Sequence, residues 1–127
     1  MDVPSLTKSG ALHIVGTADA CVSREEFNPE RTVQVFNDAI EQALHDGFSG
    51  FRAVADMTWA LSLRDGPYVV IAYEVLLQSL FATSRATGLC LYDRNKMPLD
   101  AIDSALATHT LLHHSGEYRE NPQYEHA

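Results

Sequence analysis

Apolar residues along the chain alternate between short β-branched runs and longer stretches with a helical period. Residues 11–17 form a short apolar run that predicts a strand. Residues 51–57 predict a second strand, which is too apolar to face water on one whole side, and residues 89–92 a third. Residues 111–114 are a candidate closing strand. Residues 1–10 show neither pattern and are expected to form a loose leader.

Three helices are predicted between and after these strands. The first begins at Asn28, a capping residue followed by proline and glutamate, and ends at Gly47. The second runs from Pro67 to about Thr83, and the third begins at Pro98. The apolar residues within each stretch recur at helical spacing, so each helix has one face for a core.

The repeated order of strand and helix predicts an α/β layered fold, with a short, mainly parallel sheet flanked by helices. Ligands of such sheets usually sit beyond the carboxyl ends of the strands, which here are residues 17–21, 56–59 and 92–94. After the leader, residues 11–127 are expected to form a single domain, because 127 residues suffice for one hydrophobic core.

Charge and composition exclude several classes of function. The 17 acidic and 9 basic residues leave a formal net charge of −8, and the basic residues are scattered singly. Direct binding to nucleic acid or to an anionic membrane is therefore not expected. The sequence shows no signal peptide and no apolar stretch near the ~20 residues that span a bilayer. Cys21 and Cys90 are far apart, which is typical of a reducing compartment, so a cytoplasmic location is expected.

Two residues after the second predicted strand could carry chemistry. Asp56 is placed like the metal-supporting carboxylate of a nucleotide-binding fold, but the chain has no GxxxxGK[ST] loop, which argues against ATP hydrolysis. Its alternative role is a cap on the turn that begins at Thr58. Trp59, the only tryptophan, is either a plug in a core or interface, or one wall of a ligand site.

Glu74 follows Tyr73 on the otherwise apolar face of the second predicted helix. Burying a carboxylate is costly unless it is paired or hydrogen-bonded. An ion pair with Arg52 or Arg94 would satisfy it. The alternative is a polar anchor for a bound small molecule.

The histidines near the carboxyl terminus suggest a metal site, but weakly. His109 and His113 have the i, i+4 spacing that lets two imidazoles share a helical face, with His114 adjacent. No acidic residue or cysteine lies at a matching spacing, and Leu-Leu at residues 111–112 indicates that the helix has ended. No metal is predicted, and His109 is interpreted as structural. Cys90, in the middle of a strand, is expected to be an inert core thiol.

The amino-acid sequences of several segments resemble those of one family. The run of residues 47–61, GFSGFRAVADMTWAL, is similar to the central signature of the MEDS family, the sensory domain of the DcmR type. Tyr73-Glu74, then LCLYDR at residues 89–94, then His109 and NPQY at 121–124 keep that family's order. The resemblance is clearest over residues 45–127 and looser over 11–44, so only the later portion of the family is recognised.

This resemblance implies a cytoplasmic sensory module of bacterial and archaeal regulators, with a fold that resembles a degenerate RecA- or KaiC-type domain. It implies a small-molecule ligand such as a hydrocarbon derivative. The family commonly carries glutamate where Asp56 stands. No output domain is recognised, so the signal is expected to pass to a separate regulator or histidine kinase. A homodimer is expected as well, because the family portion not recognised here would leave apolar surface exposed.

The leading hypothesis is therefore a non-enzymatic sensory domain without a cofactor, whose ligand lies near the strand ends. Its expected ligand-binding residues come from the signature and from the later motifs: Asp56, Met57, Trp59, Tyr73, Glu74, Tyr92, Asp93 and His109. One alternative is a ligand-free protein-interaction or dimerisation module. The other is a metal- or thiol-dependent enzyme, although no catalytic constellation can be recognised.

Overall fold

A computed structural model describes residues 2–16, 27–63, 70–114 and 116–124, and it has a mixed α/β fold. In chain order the elements are α1 (Val3–Ser9), α2 (Pro29–His45), β1 (Phe51–Asp56), a 3₁₀-helix (Met57–Ser62), α3 (Val70–Ala82), β2 (Ala86–Leu91), α4 (Leu99–Leu106), β3 (Leu111–His114) and β4 (Glu117–Glu120). The predicted combination of a short parallel sheet with flanking helices is confirmed.

Helix α2 begins and ends where its sequence signals predict. The Asn28 side chain accepts a hydrogen bond from the backbone N–H of Arg31 at 2.9 Å, and Pro29 occupies the first helical position. Beyond its carboxyl end, Gly47 has a φ of 96°, a conformation that costs little only for glycine. The helix buries Ile40 and packs against α3.

Strands β1 and β2 pair in parallel, with Phe51 opposite Ala86 and Asp56 opposite Leu91. Helix α3 forms the crossover between them. The predicted second strand is confirmed to within one residue, whereas the third begins three residues earlier than predicted. Position 88, inside β2, requires glycine because a Cβ there would come within 2.1 Å of the Phe81 ring on α3.

The prediction that the second strand is buried on both faces is wrong. Burial alternates along β1, and Val54 is 68% exposed. The sheet has one inner face, covered by helices, and one outer face that carries Val54, Leu89 and Leu91. A two-stranded sheet offers too little area for helices on both sides, so its outer face remains open to water.

The predicted strand over residues 11–17 is wrong for residues 11–16, and residue 17 lies outside the described residues. After Gly10, the backbone N–H groups of Ala11 and Leu12 bond back to the Leu6 carbonyl and so close helix α1. Ile14 is 79% exposed, so the apolar run has no sheet to join. Residues 1–10, expected to form a leader, contain α1, which buries no residue.

The predicted closing strand is confirmed, but its partner lies in the tail rather than in the main sheet. β3 pairs with β4 in antiparallel fashion, with Leu111 opposite Glu120 and His114 opposite Glu117. Gly116, with a φ of 82°, lies at the turn between them.

Helices α3 and α4 agree with their predictions where they are described. The predicted start of α3 at Pro67 lies outside the described residues, and the helix ends at Ala82 rather than Thr83. α4 begins directly after Pro98. No helix of the described chain is both long and apolar enough to cross a membrane.

The main core lies between the 3₁₀-helix and α3. Its buried members are Met57, Ala60, Leu63, Val70, Tyr73 and Leu77. Trp59 packs on the edge of this core, with its ring centroid 5.3 Å from that of Phe27 and 6.2 Å from that of Tyr73.

Candidate functional site

The carboxyl ends of β1 and β2 lie side by side, because Asp56 is paired with Leu91. The 3₁₀-helix follows β1 at this edge, and Tyr92 follows β2. The edge therefore brings together residues that the sequence suggested for ligand binding. They form two groups, one around Trp59 and the other around Glu74.

Asp56 ends β1 and caps the 3₁₀-helix. Its Oδ1 accepts hydrogen bonds from the hydroxyl of Thr58 at 2.6 Å and from the backbone N–H of Thr58 at 2.9 Å. Because both bonds stabilise the carboxylate, they lower the pKa of Asp56. The capping role considered from the sequence is confirmed.

An open depression of about 450 Å³ lies beside the 3₁₀-helix. It is lined by Asp56, Thr58, Trp59, Leu61 and Ser62, and is called the Trp59 depression below. Trp59 is half-buried, so its indole contributes both to the core edge and to the depression.

Met57, a predicted ligand contact, is the first residue of the 3₁₀-helix and is fully buried. It belongs to the same core cluster as Tyr73. Asp93, another expected ligand residue, caps a turn: its Oδ1 accepts the backbone N–H of Asn95 at 2.8 Å, and its Oδ2 lies 3.9 Å from Nζ of Lys96. Neither residue lines the depression.

Four side chains meet on the inner side of the sheet and are called the Glu74 cluster: Glu74, Cys90, Tyr92 and His109. Oε1 of Glu74 accepts the hydroxyl of Tyr92. Oε2 accepts the thiol of Cys90 at 3.8 Å and lies 3.3 Å from Nε2 of His109. Glu74 is only 3% exposed, so these partners offset the cost of burying its carboxylate.

His109 has a hydrogen-bond acceptor at each ring nitrogen. Nδ1 lies 2.7 Å from the carbonyl oxygen of Ala105, while Nε2 faces Glu74. Two acceptors favour the imidazolium form, in which both nitrogens donate. Burial by itself lowers the pKa of His109, but hydrogen bonds with Cys90, Glu74 and Ala105, together with the Glu74 charge, raise it to about 11. Glu74 and His109 therefore form an ion pair at neutral pH.

The prediction that Arg52 or Arg94 neutralises Glu74 is wrong. Arg52 is exposed on the outer face of β1, away from α3. Nη1 of Arg94 lies 3.1 Å from Nε2 of His114. His109 supplies the positive charge instead, because the turn after α4 carries its ring to Glu74.

The spacing of His109 and His113 does not put them on one helix. α4 ends at Leu106, and His113 lies in β3, where its ring packs 4.4 Å from that of Tyr118. The two histidines therefore belong to different surroundings, and a shared metal-binding helical face does not exist here.

Burial raises the pKa of the Cys90 thiol and of the Tyr92 and Tyr73 hydroxyls. Nearby Glu74 adds to each of these shifts, because its negative charge opposes a second one. All three groups are therefore protonated at neutral pH, and Cys90 is a thiol rather than a reactive thiolate.

Sequence reasoning missed Cys90 as a member of the site. Cys90 and Tyr92 are two positions apart at the end of an extended strand, so their side chains emerge on the same side. That spacing, opposite a carboxylate on the covering helix, was the available signal.

Tyr73 connects the two groups, because it neighbours Glu74 on α3 and packs edge-on against Trp59.

Comparison with known proteins gives one result. Residues 1–110 match the family model described as "MEDS: MEthanogen/methylotroph, DcmR Sensory domain". The match includes the expected leader and ends before the NPQY segment at residues 121–124. No curated protein and no solved structure matches the chain significantly.

Proposed function

Because the chain belongs to the MEDS family of sensory domains, we propose that it is a non-enzymatic cytoplasmic sensory domain that binds a small molecule such as a hydrocarbon derivative. A sensory or regulatory role follows from the family. The ligand, its site and the partner that receives the signal are parts of the proposal.

The Trp59 depression is the observation that carries this proposal. It lies at the carboxyl edge of a parallel sheet, where ligands of α/β folds usually bind. Its volume of about 450 Å³ falls in the range of small-molecule sites. Trp59 and Leu61 offer apolar contact. The hydroxyl oxygens of Thr58 and Ser62, whose protons are donated to Asp56 and to the Trp59 carbonyl, can accept hydrogen bonds. This combination suits a small, weakly polar compound.

Helix α3 is the element through which a bound ligand would act. Trp59 packs against Tyr73, and the next residue on α3 is Glu74, which holds the Glu74 cluster together. A ligand that moves the indole would bear on Tyr73 and favour one position of α3. A separate regulator or histidine kinase that contacts α3 or its neighbours would then detect the change.

A thermal-shift screen against halogenated, methylated and hydroxylated one- to four-carbon compounds tests the proposal. A ligand at 100 times its dissociation constant stabilises the folded state by about 2.7 kcal/mol. Leu61→Ala removes apolar surface from the depression and should weaken binding of an active compound. Leu99→Ala, at a 72% exposed position on α4, is the matched control and should bind like wild type.

Two results would count against the proposal. If no compound in the screen raises the melting temperature, the chain binds none of the compound classes tested. A compound that stabilises wild type and Leu61→Ala equally would bind elsewhere, and the depression would not be its site.

The outer face of the sheet favours a second candidate, a dimerisation or protein-interaction module. Parallel sheets are normally covered on both faces, yet Val54 and Leu91 are exposed here. Two copies that paired through this face would cover both. Val54→Asp should then convert a dimer to a monomer in sedimentation, while Leu99→Asp should not. A wild-type monomer at micromolar concentration would rule this candidate out.

A further inference from the structure

Three different metal-ligand atoms converge in the Glu74 cluster. Glu74 offers a carboxylate oxygen, Cys90 a sulfur and His109 a ring nitrogen, and all three atoms lie within 4.8 Å of one another. They come from α3, β2 and the turn after α4, so the tertiary fold, rather than a local sequence motif, brings them together.

Two of the distances between these atoms are close to the edges of a tetrahedral zinc site. Zinc bonds of roughly 2.0 Å to nitrogen and oxygen and 2.3 Å to sulfur place O and N about 3.3 Å apart, and O and S about 3.5 Å apart. The observed separations are 3.3 Å between Oε2 of Glu74 and Nε2 of His109, and 3.8 Å between that oxygen and Sγ of Cys90. The third separation, between Sγ of Cys90 and the ring nitrogen of His109, is no more than 4.8 Å, so the thiol is the ligand that would move most on metal binding.

The surroundings of the three atoms match the outer shell of metal sites. A metal-bound histidine usually donates its other N–H to a carbonyl or carboxylate, and Nδ1 of His109 faces the Ala105 carbonyl at 2.7 Å. A metal-bound carboxylate is usually held by a hydrogen bond, and the Tyr92 hydroxyl holds Oε1 of Glu74. Oε2 and Nε2 are thereby aimed at each other, with the thiol beside them.

Charge balance and access also suit a divalent cation. With a divalent cation bound, the Glu74 carboxylate and a Cys90 thiolate would together balance the two positive charges of the ion, beside a neutral imidazole. The site would thus hold the cation without leaving an uncompensated buried charge. The His109 side chain is 25% exposed, which gives the ion a route in.

We propose that Glu74, Cys90 and His109 form a binding site for a zinc-like divalent transition metal. A thiolate and an imidazole select such an ion over Mg²⁺ or Ca²⁺, which prefer oxygen ligands. Three protein ligands leave a fourth position for water or another small ligand. The site is separate from the proposed ligand depression, since none of the three residues lines it.

Titration of the chelator-treated full chain with Co²⁺ alone tests this site. Cobalt in a tetrahedral site with a thiolate gives intense visible absorption and a sulfur-to-metal charge-transfer band in the near ultraviolet. We expect both to saturate at one equivalent and to disappear when Zn²⁺ is added. Absence of the charge-transfer band in the wild-type chain would overturn the proposal without any variant.

Matched variants locate the metal. Cys90→Ser and His109→Gln should each abolish stoichiometric binding, and Cys90→Ser should also remove the charge-transfer band. Cys21→Ser and His113→Gln change the same residue types elsewhere and should bind cobalt like wild type. A band that survives Cys90→Ser, or that disappears in Cys21→Ser, would place the metal elsewhere and overturn the assignment.

Tyr92→Phe separates a metal site from a merely structural cluster. Loss of an outer-shell hydrogen bond usually weakens metal affinity by roughly 10–100-fold, and the ligands themselves stay in place. We therefore expect the variant to need more cobalt but to give the same spectrum at saturation. Unchanged cobalt affinity in Tyr92→Phe would contradict the geometry proposed.

Discussion

The Trp59 depression and the Glu74 cluster lie at the same edge of the sheet but are built in different ways. The depression comes from one continuous segment, residues 56–62, whose polar groups bond to near neighbours. The cluster joins residues 16 and 18 positions apart, and His109 beyond them, around one buried carboxylate. The first is open and locally supported, whereas the second is enclosed and depends on the tertiary fold. Changes in the cluster should therefore cost stability, and changes in the depression should mainly affect binding.

The largest effect is expected from His109→Ala. The substitution leaves the buried Glu74 carboxylate without its cation, and breaking such a pair costs about 2–4 kcal/mol of unfolding free energy once the partial exposure of His109 is allowed for. Urea unfolding in the presence of a chelator measures this cost. His113→Ala removes only an exposed ring contact with Tyr118 and should cost at most about 1.5 kcal/mol. Equal costs for the two variants would refute the ion pair.

A smaller effect is expected from Gly88→Ala. Its Cβ would meet the Phe81 ring at 2.1 Å and push α3 away from β2, and overpacking of this kind costs about 1–3 kcal/mol. The Phe81→Leu substitution should relieve part of the clash in the double variant. Thr87→Ala, its exposed neighbour, is the control. If Gly88→Ala is as stable as wild type, the close packing of α3 on β2 is not as described.

The two regions should also respond to pH in opposite directions. The folded pKa of His109 is raised to about 11, so its contribution is complete below the unfolded value of 6.5 and is lost as pH rises through the folded value. The pKa of Asp56 is lowered from 3.8, so its contribution is present above that value and is lost as pH falls through the folded pKa. The Asp56 effect is the smallest of those predicted here.

Unfolding of wild type, His109→Gln and Asp56→Asn across the pH range measures both contributions. The stability difference between wild type and His109→Gln should shrink towards alkaline pH, and that between wild type and Asp56→Asn should shrink towards acid pH. Differences that do not change with pH would show that neither side chain titrates as its contacts require.

The sequence predicted those features that depend on interactions between residues close together along the chain. The start of α2 at Asn28 and the capping role of Asp56 follow from local hydrogen bonds, and both are confirmed. Glu74 was recognisable as an anomaly, because a carboxylate on an apolar helical face needs a partner. The partner of Glu74 could not be recognised from the sequence, since the choice between Arg94 and His109 depends on where α4 ends and how the following turn approaches α3.

The remaining errors have physical reasons too. The apolar run at residues 11–17 has strand-like composition, but its first residues close α1 instead of pairing. All four residues of β4, EYRE, are exposed, so the strand has no hydrophobic pattern from which it could be predicted. The sequence around Cys90 indicates only an inert core thiol, because it does not show that α3 brings the Glu74 carboxylate next to the sulfur.

The central claim is that a small ligand binds in the Trp59 depression. Trp59 is the only tryptophan, so tryptophan emission reports on this position alone. The most direct measurement is a titration of that emission in wild type and in Leu61→Ala, using compounds that raise the melting temperature. We expect a saturable change in wild type, with the dissociation constant raised in Leu61→Ala. A compound that stabilises the chain and leaves the Trp59 emission unchanged would contradict it.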